Sequence, residues 1–373
     1  MFKLKITVLL LFFSFTLIGC FKETTNKNTV DEELVSLQLK GLPINSTEKL
    51  ILIPNKKKLA LYDTMLNKVT KQIDLLRSAR DYAVAPNGNI YIPLHHERSD
   101  KGSNIAILDK ETGKFNTIQT KYNSLGSIRI TKEGIGFIQT GISNGGESLE
   151  ILVIDTASNK EIGAVTIPGP HESIGILNDS QVLVSVANGD NKGVYLVDKF
   201  MEKAELFLDM KNEPFGPVYI LTNPKEHLVY FVHMGVPKED KELKNELAKK
   251  YDPKLIEPHI SVWDFETKKL IKNVGLNIDG PVTMTSDNQG NLYVGHYTVY
   301  PGATPTTYIS LVNLREGAVS EIKTVPNPMT VRIDDGKLYV GSFSEPKMDI
   351  FDIASLNKIS TVTFDDKIII PVN

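Results

Sequence analysis

The chain has 373 residues, 41% hydrophobic and 23% charged, with Lys+Arg 42 against Asp+Glu 45, which is the composition of a folded globular protein rather than a disordered or collagen-like one. A formal net charge of -3 supplies no positive field for a polyanion and argues against a nucleic-acid partner. A single Cys excludes intrachain disulfides, multi-Cys zinc sites and Cys-ligated iron–sulfur clusters.

In chain order, residues 1–19 read as a secretory signal. Lys3 and Lys5 precede an apolar run, Ile6 to Ile18, that is shorter than the roughly 20 residues a bilayer span requires. The run closes on Leu17-Ile18-Gly19-Cys20, which resembles the lipobox of bacterial lipoproteins. That resemblance implies cleavage before Cys20, attachment of diacylglycerol to its sulfur, and a lipid-anchored protein at the bacterial cell membrane facing outside the cytoplasm. Two acyl chains supply the double signal that stable anchoring needs. Residues 20–33 then form the anchor and a polar, flexible tether, FKETTNKNTVDEE.

Residues 34–373 are built on one repeat. An apolar strand ending in Asp or Asn, a turn and a second strand recur at Asp63, Asp109, Asp155, Asp198, Asp264, Asn313 and Asp352, spaced by 46, 46, 43, 66, 49 and 39 residues. A carboxylate at a strand end accepts backbone hydrogen bonds from the residues just beyond and closes the hairpin. A second tight turn precedes most copies, as in Asn87-Gly88 and Asp335-Gly336, where Gly or Asn supplies the positive φ. Each unit is therefore strand A, tight turn, strand B, variable loop, strand C, Asp turn, strand D. Seven such units of about 45 residues predict an all-β fold, a seven-bladed β-propeller of four-stranded antiparallel blades. The first unit lacks a clear strand A; the tail 367–373 (KIIIPVN) and the segment 34–39 (LVSLQL) are both candidates to complete it.

Units such as NLYVGHYTVYPG (291–302) and GKLYVGSFS (336–344), with the Asp-turn hairpins, resemble the YVTN-type propellers of secreted bacterial proteins, which are related to the lactonase-like superfamily. The resemblance covers about residues 45–373. It implies the fold, and it implies no activity, because propellers serve binders, scaffolds and enzymes alike.

Loops joining D to A and B to C share one face of a propeller. The longest and least regular segments of the chain are B–C loops, so that face is the expected functional surface. The 66-residue spacing places an insertion, 237–258, in blade 5. Leu243, Leu247 and Tyr251 recur at helical spacing within it, predicting a short helix opened by Pro237 and ended by Pro253. With Tyr297 and Tyr300 nearby, these residues are candidate partner contacts. His95, His96, His233 and His296 fall at or just beyond strand B ends, His233 and His296 at equivalent positions of adjacent blades. His171-Glu172 and Arg80-Asp81 are placed at the start of A strands, nearest the axis, where they form either a channel-mouth acid–base cluster or neutralising inter-blade pairs. The match of Gly141 to Gly145 to G-x-S-x-G is discounted, because a strand rather than a helix follows it.

No metal-ligand spacing is present, and neither a metal nor a cofactor is expected. The leading expectation is a non-enzymatic, membrane-anchored module that binds an envelope protein or a small molecule through its loop face. The alternative is a lactonase-like hydrolase or lyase using His233, His296, His171, Glu172, Arg80 and Asp81. A quinone-cofactor dehydrogenase ranks last, since Trp263 is the single Trp and no repeated Trp docking pattern exists.

Overall fold

The computed structural model describes residues 44, 47–53, 58–75, 77–95, 104–122, 124–141, 149–298 and 304–364. Cys20, the tether, His96, Ser143, Tyr300 and both candidate closing strands lie outside the described residues.

Each strand-ending Asp or Asn closes its hairpin as the repeat requires. Asp63 accepts from the amides of Met65 and Leu66, Asp109 from Glu111 and Thr112, and Asp155 from Ala157. Asp198, Asp264, Asn313 and Asp352 do the same with Phe200, Thr267, Arg315 with Glu316, and Ser355. Four residues beyond the turn residue, the chain adopts the left-handed conformation at Asn67, Gly113, Asn159, Lys268, Gly317 and Leu356. The amide hydrogen bonds hold the carboxyls of Asp63, Asp109 and Asp264 below their usual range.

Seven antiparallel sheets result, as expected. Blade 1 contributes strands B, C and D, Glu48–Ile53, Lys58–Asp63 and Lys68–Asp74. In blade 2 strand A is broken into Ser78–Ala79 and Ala83–Val84, ahead of Ile90–His95, Asn104–Leu108 and Phe115–Gln119. Blades 3 to 7 each pair four strands in sequence order. Blade 3 begins at Leu125–Ile130 and blade 4 at His171–Ile176. Blade 5 comprises Tyr219–Asn223, Leu228–His233, His259–Asp264 and Lys269–Gly275. Blade 6 comprises Pro281–Ser286, Asn291–His296, Tyr308–Asn313 and Ala318–Lys323. Blade 7 runs from Pro328–Asp334 to Lys358–Thr363.

A single four-stranded blade cannot cover both its faces, so the core sits between blades. Among the described residues seven apolar clusters occupy the seven interfaces. One joins blades 1 and 2 through Leu50, Leu59, Ile90 and Ile92. Another closes the ring, packing Ile51 and Tyr62 of blade 1 on Tyr339, Met348 and Ile350 of blade 7. Burying such side chains stabilises by about 1.5–3 kcal/mol each, which favours a closed ring over an open stack of sheets.

The insertion in blade 5 is helical, with one correction. α1 spans Lys241–Leu247, capped by Asp240, whose side chain accepts from the Leu243 amide. Pro253 does not end that helix; it sits in the first turn of a second one, α2, Pro253–Ile256, capped by Asp252. Proline suits that position because the amide it lacks has no partner within the helix there.

Candidate functional site

His233 ends strand B of blade 5 and His259 begins strand C, and the antiparallel register sets them directly opposite each other. Cross-strand neighbours share a face, so the imidazoles stack with centroids 4.3 Å apart and planes 6° from parallel. Both rings are 2% exposed. Glu213, on the loop entering blade 5 from blade 4, brings its Oε2 to 3.3 Å from His233 Nδ1. One ligand atom from each of Glu213, His233 and His259 lies within 4.8 Å of the others.

The neighbours of these rings are specific. His259 Nδ1 donates to the Glu257 carbonyl at 2.8 Å, which leaves Nε2 as the lone pair. His233 Nε2 lies 2.9 Å from Ser261 Oγ, and Ser261 Oγ accepts from Trp263 Nε1 at 3.0 Å. His259, Ser261 and Trp263 alternate along one strand and so line one face of it. Burial pushes His259 below its usual value, and burial together with the neighbouring His259 pushes His233 well below it. Burial raises the Glu213 carboxyl to about 7 against the opposing pull of Lys192. With the imidazole uncharged at neutral pH, the Glu213–His233 approach is not an ion pair.

The insertion roofs this cluster, leaving the chain just after His233 and returning just before His259. Val236 donates to the Ile256 carbonyl at 2.8 Å, so its two ends meet. Lys238 bonds the blade 5–6 loop at the Asp279 side chain and the Asn277 carbonyl. Tyr251 lies under the Lys192 ammonium, 5.6 Å from its ring centre, and Lys192 also donates to the Glu213 and Pro214 carbonyls. Lys244 and Glu257 pair at 2.7 Å across the insertion. Leu243, Leu247 and Tyr251 are half-buried, so the apolar stripe is turned inward, while Lys241, Glu242, Asn245, Glu246, Lys249 and Lys250 face solvent.

Among the described residues, the others singled out from sequence do not assemble into one site. His296 has its own partners, Ser310 Oγ at 2.9 Å from Nε2 and the Asp279 carbonyl at 3.2 Å from Nδ1. Arg80 and Asp81 do not start strand A of blade 2; they lie in the break within it. There Asp81 takes the Tyr82 amide, the Ile128 amide and, at 2.6 Å, the guanidinium of Arg129 from blade 3. Burial weighs against the Arg129 charge, but Asp81 and Tyr219 outweigh it and raise its pKa. Arg80 is exposed. His171 starts strand A of blade 4, where burial brings it down to about 4; Glu172 beside it reaches water but is walled by protein, and that desolvation raises its carboxyl. Tyr297 packs edge-on against Phe343, 4.5 Å between centroids, joining blades 6 and 7. His95 pairs through its backbone with Ser78 at the end of strand B in blade 2. Sequence reasoning missed Glu213, His259, Ser261 and Arg129.

Protonation of the buried histidines is expected to contribute to acid unfolding. Burial brings His296 to about 4, against about 6.5 in an unfolded chain. The unfolded state therefore takes up the proton first. Stability is complete above about pH 6.5 and is lost as pH falls toward 4, by about 3 kcal/mol for this one group. Urea midpoints measured from pH 7.5 to 4.5 are expected to fall across that window, less steeply in His296→Gln; a midpoint flat between pH 7 and 5 contradicts this.

No protein-family model and no curated protein matches the chain. Among solved structures it is similar to a functionally unknown protein from Desulfotomaculum acetoxidans DSM 771, at 15% identity and a TM-score of 0.62, over 87% of this chain and 99% of that one. It is also similar to Kuenenia stuttgartiensis hydrazine synthase, at 14% identity and a TM-score of 0.55, over 74% and 76% of the two chains. A third similarity is to the dihydro-heme d1 dehydrogenase NirN, at 10% identity and a TM-score of 0.57, over 88% and 75%. At these identities the likeness shows the propeller fold.

Proposed function

We propose that this chain is a membrane-tethered, extracytoplasmic binding module, akin to the YVTN-type propellers, that presents its loop face to an envelope protein or small-molecule partner. The observation that carries the reading is the blade 5 insertion. It is fastened to the loops of blades 4 and 6 through Lys192, Asn277 and Asp279, and its charged crest from Lys241 to Lys250 is left open to solvent. A helix held in place with a polar outer surface is suited to recognition, since little ordering entropy remains to be lost on contact. The lipobox at Leu17 to Cys20 and the polar tether supply the reason to place this surface outside the cytoplasm, held off the membrane.

Two variants test the proposal in membranes from the native host. Cys20→Ser is expected to release the protein from the membrane fraction and abolish incorporation of labelled palmitate; retention with labelling unchanged overturns the anchor. Because Val236 and Ile256 are already bonded, deleting residues 238–254 is expected to leave the propeller folded. Crosslinks to a specific partner through Lys241, Lys249 and Lys250 are expected to disappear with that deletion. A partner captured equally well by the deletion variant moves the interface off the insertion.

A further inference from the structure

We infer that Glu213, His233 and His259 form a binding site for a first-row divalent transition ion, of the zinc type, roofed by the blade 5 insertion. Among the described residues, a few buried side-chain atoms have no hydrogen-bond partner. They include Glu213 Oε2, His233 Nδ1 and His259 Nε2; the first two lie 3.3 Å apart, and all three belong to the residues that each bring one ligand atom to within 4.8 Å of the others. A buried polar atom without a partner carries a desolvation cost of about 1–3 kcal/mol, and three facing one another are explained together by one cation.

The second layer of contacts is what a metal site needs. A ligating imidazole holds its other nitrogen in a hydrogen bond that fixes the tautomer. His259 does so through Nδ1 to the Glu257 carbonyl, and His233 through Nε2 to Ser261 Oγ, itself held by Trp263. With Nδ1 of His233 on the ion, the ring proton sits on Nε2 and donates to Ser261. Two imidazoles and one carboxylate suit zinc and its neighbours rather than calcium or magnesium, which take oxygen ligands. Three protein ligands leave a fourth position for water or a bound anion.

Blade 6 supplies an internal comparison. His296 and Ser310 repeat the His233–Ser261 pair, but Tyr308, two residues before Ser310, takes the place that His259 has before Ser261, and a backbone carbonyl, that of Asp279, takes His296 Nδ1. Of the two blades, only blade 5 sets a histidine nitrogen, His233 Nδ1, beside a carboxylate, with the Phe215 backbone also within reach of that ring. Loading has a geometric consequence. Parallel rings direct their lone pairs side by side, so convergence on one ion requires the rings to tilt toward each other about the hydrogen bonds that hold their far nitrogens, and the stack opens.

The single Trp is therefore a reporter. The full chain, stripped with chelator, is titrated with Co²⁺ at neutral pH while Trp263 emission and visible absorption are followed, and Zn²⁺ is then added in competition. One Co²⁺ per chain, quenching of Trp263, a visible ligand-field band and displacement by Zn²⁺ are expected. Glu213→Gln and His259→Ala are each expected to weaken binding by roughly tenfold or more, with His296→Gln unchanged. Glu213→Gln keeps side-chain volume and decides the matter if His259→Ala fails to fold. Absence of quenching up to millimolar Co²⁺ overturns the inference, as does Co²⁺ binding of equal affinity in Glu213→Gln. The titration needs no partner, so its failure leaves the proposed binding role standing, and loss of partner capture leaves the metal site standing.

Discussion

Replacing Arg129 by Met is expected to destabilise the propeller by about 3–5 kcal/mol, the cost of leaving a buried carboxylate without its counter-charge. Asp81 is 8% exposed at its side chain and Arg129 20%, so water has little room to replace the guanidinium beside the carboxylate. The pair joins the broken strand A of blade 2 to strand A of blade 3, at the inner wall of the ring, where the 2.6 Å contact is supplemented by the Tyr82 and Ile128 amides. Those two amides remain after the substitution and keep Asp81 hydrogen-bonded, but they do not neutralise it. The double variant Asp81→Asn, Arg129→Met removes both charges and is expected to recover much of the loss. Urea unfolding of the two single variants and the double variant reads the coupling directly. Single losses that simply add in the double variant show that the pair does not act as a unit.

The ring was legible because its punctuation is local. An Asp at a strand end and a left-handed residue four positions later are set by a handful of consecutive amides, so they recur visibly at Asp63, Asp109 and Asp155. The helix in the insertion was legible for the same reason, through Leu243 and Leu247, although it stops at Leu247 and Tyr251 lies beyond it. The buried cluster was not, because its members come from three separate segments. Glu213 arrives on an inter-blade loop, and the insertion separates His233 from His259 in the chain. One signal was present: with Asp264 paired to Leu228 at the turn end, an unbroken register carries His233 to His259 at the other. Arg129 escaped notice because its partner sits in a strand interruption, and Asp81 caps its own chain there, an arrangement that follows from ring closure rather than from any local pattern.

Gly235→Ala is expected to cost about 2–5 kcal/mol and to disorganise the blade 5 cluster at the same time. Gly235 has φ +66, and a Cβ there would lie 2.3 Å from Pro258 N and 2.6 Å from the Glu257 carbonyl carbon. Both obstacles are backbone, so neither can rotate aside. The relief available is to push the return strand of the insertion outward, and that strand carries the Glu257 carbonyl that fixes the His259 tautomer. Gly88→Ala separates the two causes. Gly88 has a positive φ of 84, but a Cβ there meets nothing within 4 Å, so its cost is the backbone conformation alone, about 1–2 kcal/mol. Thermal unfolding of the two variants is expected to show the larger loss at Gly235, with Co²⁺ quenching of Trp263 reduced in Gly235→Ala and intact in Gly88→Ala. Equal losses at the two glycines mean that contact with the return strand does not constrain Gly235, and that the two ends of the insertion are joined less rigidly than the Val236–Ile256 bond implies.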